Sequence, residues 1–167
     1  MTFLLPLYRI ISTVGAPAIN WYFQQRIKNG KEDRLRFSER TGFACIPRPS
    51  GSLIWVHGAS VGESITVLPL IEKLRQEYPG VNVLITTGTV SSGVLLEKRL
   101  PDEVIHQYVP IDRPSYVCRF LDHWRPDLAL WVESEFWPNL ITMTNDRGIP
   151  QVLINGRISP SSYTEWK

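Results

Sequence analysis

The sequence predicts an α/β protein with a parallel, Rossmann-like sheet that helices cover on both faces. Short apolar runs rich in β-branched and aromatic residues recur from residue 52 onwards, and segments with helical spacing of apolar residues lie between them. Strands that are apolar throughout are typical of parallel sheets, because both of their faces are buried. The helical segments supply the right-handed crossovers that parallel pairing requires.

This pattern defines five strands and four helices in alternation. The predicted strands are Ser52–His57, Val81–Thr87, Val104–Val109, Leu128–Val132 and Gln151–Ile154. The predicted helices are Gly62–Tyr78, Val90–Leu100, Arg113–Trp124 and Pro138–Arg147. Pro79 and Gly80 end the first helix, and Pro138 suits the first position of the last one, where a missing N–H is harmless. We assign residues 51–167 to one domain.

The N-terminal segment 1–25 is predicted to be a membrane anchor or an interfacial helix. Phe3–Phe23 is mostly apolar, and about 20 such residues cross the hydrocarbon core of a bilayer. Arg9 lies inside this stretch, and Pro6 and Pro17 interrupt its helix. A helix that lies on the membrane, or that caps the domain, is therefore the alternative to a membrane span.

Residues 26–50 are predicted to form a basic linker and helix. The cationic side chains in this segment include Arg26, Lys28, Lys31, Arg34, Arg36 and Arg40, against Glu32, Asp33 and Glu39. Such a flank attracts anionic lipid and stays on the cytoplasmic side of a membrane. We therefore expect a membrane surface as a partner and a cytoplasmic location for the rest of the chain.

The composition excludes several classes of protein. Eighteen Lys and Arg against sixteen Asp and Glu give a net charge of +2, too small for a general nucleic-acid binder. Six Trp, six Tyr and six Phe exclude a disordered chain. Cys45 and Cys118 indicate neither a metal pair nor a disulfide framework, and they fit a reducing compartment. His57, His106 and His123 lack metal-ligand spacing, so no metal site is predicted.

In a sheet of this type the ligand binds outside the carboxyl ends of the strands. The loop from His57 to Glu63 follows the first strand, and small residues such as Ser60 and Gly62 let a substrate approach its backbone closely. The loop has neither the GxGxxG fingerprint of dinucleotide sites nor the GK[ST] ending of a phosphate loop. It therefore predicts a substrate site that uses neither nucleotide motif.

Three glutamates and two arginines lie at this edge of the predicted sheet. Glu63, in the first turn of a helix, either only complements the helix dipole or, where burial offsets the dipole, acts as a base. Glu133 and Glu135 follow the fourth strand, where one or both cap the next helix, and alternation sends at most one of them towards Glu63. Arg113 and Arg157 are candidates for clamping an anionic group.

Four motifs follow the apolar N-terminal segment in a fixed order. They are Glu39-Arg-Thr-Gly-Phe43, Ile54-Trp-Val-His-Gly-Ala-Ser-Val-Gly-Glu63, Val132-Glu-Ser-Glu-Phe-Trp-Pro-Asn-Leu140 and Ile154-Asn-Gly-Arg-Ile-Ser159. Together with the N-terminal segment and its basic flank, they closely resemble the 3-deoxy-D-manno-octulosonic acid (Kdo) transferases of lipopolysaccharide biosynthesis. The resemblance runs from end to end of the chain.

The resemblance implies the N-terminal half of a two-Rossmann-domain glycosyltransferase of the GT-B type. Such an enzyme moves Kdo from CMP-Kdo to lipid IVA, the lipid A precursor, at the cytoplasmic face of the bacterial inner membrane. It assigns the general base to Glu63 and the transition-state stabiliser to Glu133, and the acceptor is expected to contact Ser60, Gly62 and Arg157. No metal or other cofactor is expected, because CMP departs as a monoester and the chain has no acidic DxD pair.

The length of the chain qualifies this expectation. The family is expected to be about two domains long, whereas this chain ends at Lys167, so the CMP-Kdo-binding domain is expected to be absent and the chain alone inactive. Two alternatives stay open: a membrane-tethered binding module without catalysis, and a generic Rossmann-like nucleotide-binding protein. The missing phosphate-binding motifs count against the second.

Overall fold

Strands and helices alternate along the chain as the apolar pattern predicts. The structure, a computed structural model, describes residues 4–133, 136–156 and 164. Its helices are α1 (Leu4–Val14), α2 (Ala16–Lys28), α3 (Phe37–Arg40), α4 (Val61–Glu77), α5 (Val90–Glu97), α6 (Pro114–Trp124) and α7 (Pro138–Asp146). Its strands are β1 (Leu53–His57), β2 (Asn82–Thr87), β3 (Val104–Tyr108), β4 (Leu128–Val132) and β5 (Gln151–Ile154).

In the described part of the chain, the five strands form one sheet in the order β3-β2-β1-β4-β5. Every neighbouring pair is parallel. β1 lies at the centre, where Trp55 is opposite Leu84 of β2 and Ala129 of β4. This is the strand order of a Rossmann sheet. The predicted Rossmann-like, all-parallel α/β fold is confirmed.

The predicted bounds agree with the structure to within one residue except at α5, which ends at Glu97 instead of Leu100. Leu100 precedes Pro101, and a residue before proline is disfavoured in the helical region of backbone space. The N–H groups of Lys98 and Arg99 bond to the carbonyls three residues back, at 3.2 and 3.0 Å, which is the tighter geometry of a helix end. Proline thus shortens this helix.

Aromatic residues fill the face of the sheet that α6 and α7 cover. The ring centroid of Trp55 lies 5.0 Å from that of Phe120 in α6 and 4.9 Å from that of Trp131 in β4. The opposite face packs against α4 and α5 through Val56, Val67, Ile71, Ile85 and Leu96. Because both faces are buried, the central strands are apolar throughout.

The N-terminal segment forms two helices, with a boundary at Gly15. Pro17 is the second residue of α2, where no helical turn precedes it; further inside a helix its ring would clash with the preceding turn. Pro6 lies in the first turn of α1, where it interrupts nothing, so the predicted interruption is correct for Pro17 and wrong for Pro6. Among residues 4–133, 136–156 and 164, the structure contains no helix both long and apolar enough to cross a membrane.

Helix α1 packs on α6 and α7 through its polar side. The Tyr8 hydroxyl donates to Asp112 Oδ2 at 2.9 Å, and the Arg9 guanidinium donates to Thr142 Oγ1 at 3.1 Å. The other side of the helix carries an exposed row of apolar side chains, which we call the α1 stripe: Leu4, Leu7, Ile10, Ile11 and Val14. α1 is therefore amphipathic with its apolar side facing outwards, the reverse of a helix that caps a core.

Candidate functional site

A groove of about 720 Å³ lies at the carboxyl ends of β1, β2 and β3, which is where the fold predicts a ligand. One wall comes from α1 and α2, through Tyr8, Ser12, Ala18, Ile19, Tyr22, Phe23 and Arg26. The remaining wall is built largely from the ends of the strands, with Ala59, Ser60, Gly88, Thr89, Val109, Pro110, Ile111, Asp112 and Trp137. The wall from α1 and α2 thus combines an apolar patch of Ala18, Ile19 and Phe23 with polar groups, and it faces a wall that carries hydroxyl and carboxylate groups.

Glu63 lies directly behind the groove wall formed by Ala59 and Ser60. Its side chain accepts hydrogen bonds from the Ala59 N–H and from the Ser60 hydroxyl, each at 2.8 Å. Ser60 in turn caps α4 by accepting the Glu63 N–H at 3.3 Å, so the two residues form a reciprocal cap. Glu63 is buried, and its carboxylate is joined to the groove through the Ser60 hydroxyl.

The glycines of this loop have different neighbours. A Cβ on Gly58 would lie 3.4 Å from atoms of Glu63, and one on Gly88 would lie 3.0 Å from the Ala59 carbonyl oxygen. Gly88 also donates its N–H to that carbonyl at 2.9 Å, which joins the loop after β2 to the loop after β1. A Cβ on Gly62 would meet only Ser60 Oγ, at 3.9 Å, so packing does not require glycine there.

Glu133 leaves β4 with a left-handed backbone, at a φ of 60°. Its N–H donates to the Ile154 carbonyl of β5 at 3.0 Å, and its Oε1 accepts from the side-chain amide of Asn155 at 3.4 Å. Asn155 is also left-handed, at a φ of 53°. Because β4 lies beside β1, the structure places Glu133 and Glu63 after neighbouring strands, each with its own set of partners.

The remaining candidates are Arg113, Glu135 and Arg157, and Arg113 is not among the residues that line the groove. Glu135 and Arg157 lie outside the described residues. Arg113 stands at the start of α6, where its guanidinium lies 4.9 Å from the centroid of the Tyr116 ring and donates to the Tyr116 hydroxyl at 3.1 Å. This arginine therefore packs on its own helix.

Arg40, which is predicted to belong to a membrane-facing flank, is buried. Its guanidinium donates to Glu32 Oε2 at 3.0 Å, to the Gly88 carbonyl at 2.6 Å and to the Val109 carbonyl at 3.1 Å. Burial lowers the pKa of Arg40, and the nearby Glu32 carboxylate opposes that effect. Arg40 thus ties together the loops that follow β2 and β3 and itself lines the groove, and the expectation that it faces a membrane surface is wrong.

The preceding residue, Glu39, supports the same edge. Its carboxylate accepts the Tyr108 N–H at 2.7 Å and the Arg36 guanidinium at 2.8 and 3.0 Å. Arg36 also contacts His106. Burial, together with the charges of Arg36 and Arg40, lowers the pKa of His106 to about 3. His106 is therefore neutral and belongs to the scaffold.

The other histidines also have partners within the protein. His57 is buried, its Nδ1 lies 2.9 Å from the Thr86 hydroxyl, and burial lowers its pKa to about 4. His123 Nε2 lies 3.0 Å from the Ile46 carbonyl. Among residues 4–133, 136–156 and 164, no three His, Cys, Asp or Glu side chains form a group that could hold a metal ion.

Asp112 is a groove residue that sequence reasoning missed. It is buried at the end of the loop after β3, and burial raises the pKa of its carboxyl group against the opposing effect of hydrogen bonds from Asn139, Tyr8 and Leu140. Its partners lie more than 25 residues away in both directions, so no local motif identifies it. A carboxylate in the short loop after a predicted strand is the only signal that the sequence offers.

Comparison with known proteins agrees with the architecture. The sequence model of the family described as 3-Deoxy-D-manno-octulosonic-acid transferase (kdotransferase) matches residues 35–167. A probable mitochondrial 3-deoxy-D-manno-octulosonic acid transferase of Arabidopsis thaliana is 37% identical over 164 residues, covering 98% of this chain and 37% of the relative. The 3-deoxy-D-manno-octulosonic acid transferase of Rickettsia bellii is 36% identical over 164 residues, covering 98% of this chain and 36% of the relative.

A third relative, the 3-deoxy-D-manno-octulosonic acid transferase of Haemophilus influenzae, is 40% identical over 132 residues, covering 77% of this chain and 30% of the relative. The chain thus spans little more than a third of the length of the curated relatives it matches. The match of the family model over most of the chain decides the assignment. The chain belongs to the 3-deoxy-D-manno-octulosonic acid transferase family and corresponds to its N-terminal domain.

Proposed function

We propose that this chain supplies the acceptor-binding part of a Kdo transferase that moves Kdo from CMP-Kdo to lipid IVA. Membership of the family supports the reaction, and the position of Glu63 behind the groove supports the site. The observation that carries the proposal is the hydrogen bond from the groove-lining Ser60 hydroxyl to the Glu63 carboxylate. In this arrangement only the Ser60 side chain would separate the buried Glu63 carboxylate from an acceptor bound in the groove.

In this proposal Glu63 is the general base of a single displacement. A sugar hydroxyl is a poor nucleophile until a carboxylate takes its proton during attack. The proton of the acceptor hydroxyl passes to Glu63, its oxygen forms the new bond to the anomeric carbon of Kdo, and the bond to the CMP phosphate oxygen breaks. Rotation of the Ser60 hydroxyl gives the acceptor access to Glu63 Oε1, in line with catalytic hydrogen bonds that tighten only in the complex.

Glu133 is proposed to stabilise the positive charge that develops on the Kdo ring in the transition state. An anionic carboxylate fixed near an oxocarbenium-like carbon lowers the energy of that state. The left-handed backbone of Glu133 supports this role, because strained non-glycine residues concentrate at functional sites. Gly62 and Arg157 are proposed to contact the acceptor, together with Ser60.

The groove is proposed to hold a lipid acceptor. Ala18, Ile19 and Phe23 of α2 give one wall an apolar patch, which suits acyl chains, while Ser60 and Thr89 on the other wall offer hydroxyl groups to a sugar. A C-terminal domain of the family is proposed to bind CMP-Kdo. We expect the 167 residues alone not to turn over the donor.

The N-terminal helices are proposed to lie in the membrane interface at the cytoplasmic face of a bacterial inner membrane. The α1 stripe is exposed, and so is Trp21 of α2, an aromatic residue that favours the headgroup region. Lys28, Lys31 and Arg34 are exposed close by and would attract anionic lipid. In this arrangement the segment 1–25 binds lipid, the segment 26–50 supports the sheet, and the segment 51–167 forms the acceptor domain.

The test is Kdo transfer by a protein in which this chain continues into a C-terminal domain of the family. Glu63→Gln keeps a side-chain oxygen that can accept the Ala59 N–H but removes the base, so we expect kcat to fall about 100- to 10,000-fold. Glu72→Gln, an exposed change on the same helix, is the matched control and should leave kcat unchanged.

Two outcomes would overturn the proposal. Transfer that survives Glu63→Gln would mean that the chain is a binding module without a base of its own. Tight binding of CMP by the isolated chain, measured by titration calorimetry, would favour the generic nucleotide-binding alternative.

A further inference from the structure

Asp112, which is distant from α7 in the sequence, caps the N-terminus of this helix. α7 begins after Trp137, whose side chain makes no capping hydrogen bond, and its first residue, Pro138, has no N–H. The next two N–H groups both bond to Asp112: Asn139 N donates to Oδ2 at 3.0 Å and Leu140 N donates to Oδ1 at 2.8 Å. Asp112 therefore satisfies both of these unpaired donors at the N-terminus of α7.

The same aspartate receives α1. The Tyr8 hydroxyl donates to Asp112 Oδ2 at 2.9 Å. The side-chain amide of Asn139 donates both to the Asp112 carbonyl, at 2.7 Å, and to Ser12 Oγ on α1, at 3.3 Å. All three partners of the Asp112 carboxylate are donors, so the charged form fits this position.

The first turn of α7 also fixes a residue of the groove wall. Trp137, the residue before α7, lines the groove, and its carbonyl accepts the Ile141 N–H at 3.0 Å. Asp112 binds the N–H groups of Asn139 and Leu140 in the same turn. The place of Trp137 in the groove wall therefore depends on Asp112.

We propose that Asp112 is a positioning residue, which fixes Trp137 in the groove wall through the first turn of α7 and holds α1 at the same point through Tyr8. This rests on the proposed function, because the groove is the proposed acceptor site. The membrane-facing helix α1 and Trp137 of the groove wall thereby share one anchor.

The experiment uses the protein in which this chain continues into a C-terminal domain of the family. Asp112→Asn keeps the shape of the side chain but replaces one carboxylate oxygen by an amide NH2, a donor that cannot accept a hydrogen bond from the helix N–H groups. We expect faster amide hydrogen exchange at Asn139 and Leu140, and a kcat about tenfold lower with the KM for CMP-Kdo unchanged.

Asp127→Asn is the matched control. Asp127 Oδ2 accepts the Leu53 N–H at 2.8 Å, so it too is a carboxylate bonded to a backbone N–H, but at the amino edge of the sheet. We expect it to lower the thermal midpoint and to leave kcat unchanged well below that midpoint. A general loss of stability is thereby separated from a positioning effect.

Tyr8→Phe tests the second half of the proposal in a variant that keeps the helix cap. We expect faster exchange of the α1 amides and a kcat about two- to fivefold lower. Wild-type kcat in Asp112→Asn despite faster exchange at Asn139 and Leu140, or wild-type kcat and α1 exchange in Tyr8→Phe, would overturn the corresponding half. Absence of Kdo transfer in the wild type would instead contradict the proposed function, while the exchange data would still test the cap.

Discussion

Glu133 and Asn155 leave two adjacent parallel strands with the same left-handed backbone, at φ values of 60° and 53°, and Asn155 Nδ2 donates to Glu133 Oε1 at 3.4 Å. Asparagine tolerates this conformation, whereas a glutamate in it is strained by about 1 kcal/mol or more. The strain is offset by the sheet, which fixes Glu133 through the Ile154 carbonyl. The β4 and β5 ends thus form one unit around the Glu133 carboxylate.

Glu133→Gly should separate stability from activity. Glycine adopts a positive φ without steric cost, so we expect the free energy of unfolding to stay the same or rise by up to about 1 kcal/mol. Loss of the carboxylate should lower kcat about 100-fold or more if it stabilises the transition state. Chemical denaturation and steady-state transfer assays measure the two quantities.

A matched control for this prediction exists at the other edge of the sheet. Arg125, after α6, is also left-handed, at a φ of 41°. Arg125→Gly relieves the same kind of strain and should leave kcat unchanged. A large loss of stability in Glu133→Gly, or an unchanged kcat, would contradict the role assigned to Glu133.

Arg40→Lys should destabilise the protein although the charge is conserved. Arg40 bonds to Glu32, Gly88 and Val109 from a buried position, and one ammonium group cannot reproduce the planar guanidinium geometry. We expect the free energy of unfolding to fall by about 2 to 4 kcal/mol, because carbonyls and a carboxylate are left poorly paired. Arg34→Lys, on an exposed residue of the same segment, should change it by less than about 0.5 kcal/mol.

His106 should make stability depend on pH. Burial, together with Arg36 and Arg40, lowers the pKa of His106 from 6.5 to about 3 in the folded protein. Between these two values only the unfolded state binds the proton, so the contribution of His106 is complete above the unfolded pKa and is lost as the pH falls.

The variant His106→Gln isolates this contribution. We expect the difference in unfolding free energy between the wild type and His106→Gln to be about 2 kcal/mol smaller at about pH 5 than at about pH 7.5. Urea denaturation at each pH measures it. The buried His57 titrates with the same sign, but it is present in both proteins and cancels in the difference. Equal differences at the two pH values would show that His106 is not held neutral by burial.

The strands of this fold were predictable because their evidence is local. The run Leu128–Val132 is apolar throughout, and the structure shows the same strand, buried between β1 and β5. The position of Glu63 in the first turn of α4 followed equally from its sequence neighbours, as did its two alternative roles. Periodicity and capping rules act over a few residues, and these features need nothing more.

Tertiary partners were not predictable by the same means. Arg40 and Lys31 belong to one basic run, yet only the fold decides that Arg40 is buried against strand ends while Lys31 is exposed. Asp112 caps a helix that starts 26 positions later in the chain, and its sequence neighbours carry no sign of this. Residues whose role depends on which loops the sheet brings together were therefore missed.

The orientation of α1 leads to a prediction about membrane binding. Replacing Leu7 and Ile11 of the α1 stripe by Ser removes exposed apolar surface, so the fold should be retained. If the stripe inserts into the lipid interface, the loss should weaken binding to vesicles containing anionic lipid about tenfold or more. Leu35→Ser is the control, because Leu35 is 93% exposed but lies outside the stripe. Co-sedimentation compares the three proteins, and equal binding by all of them would place the lipid contact elsewhere on the surface.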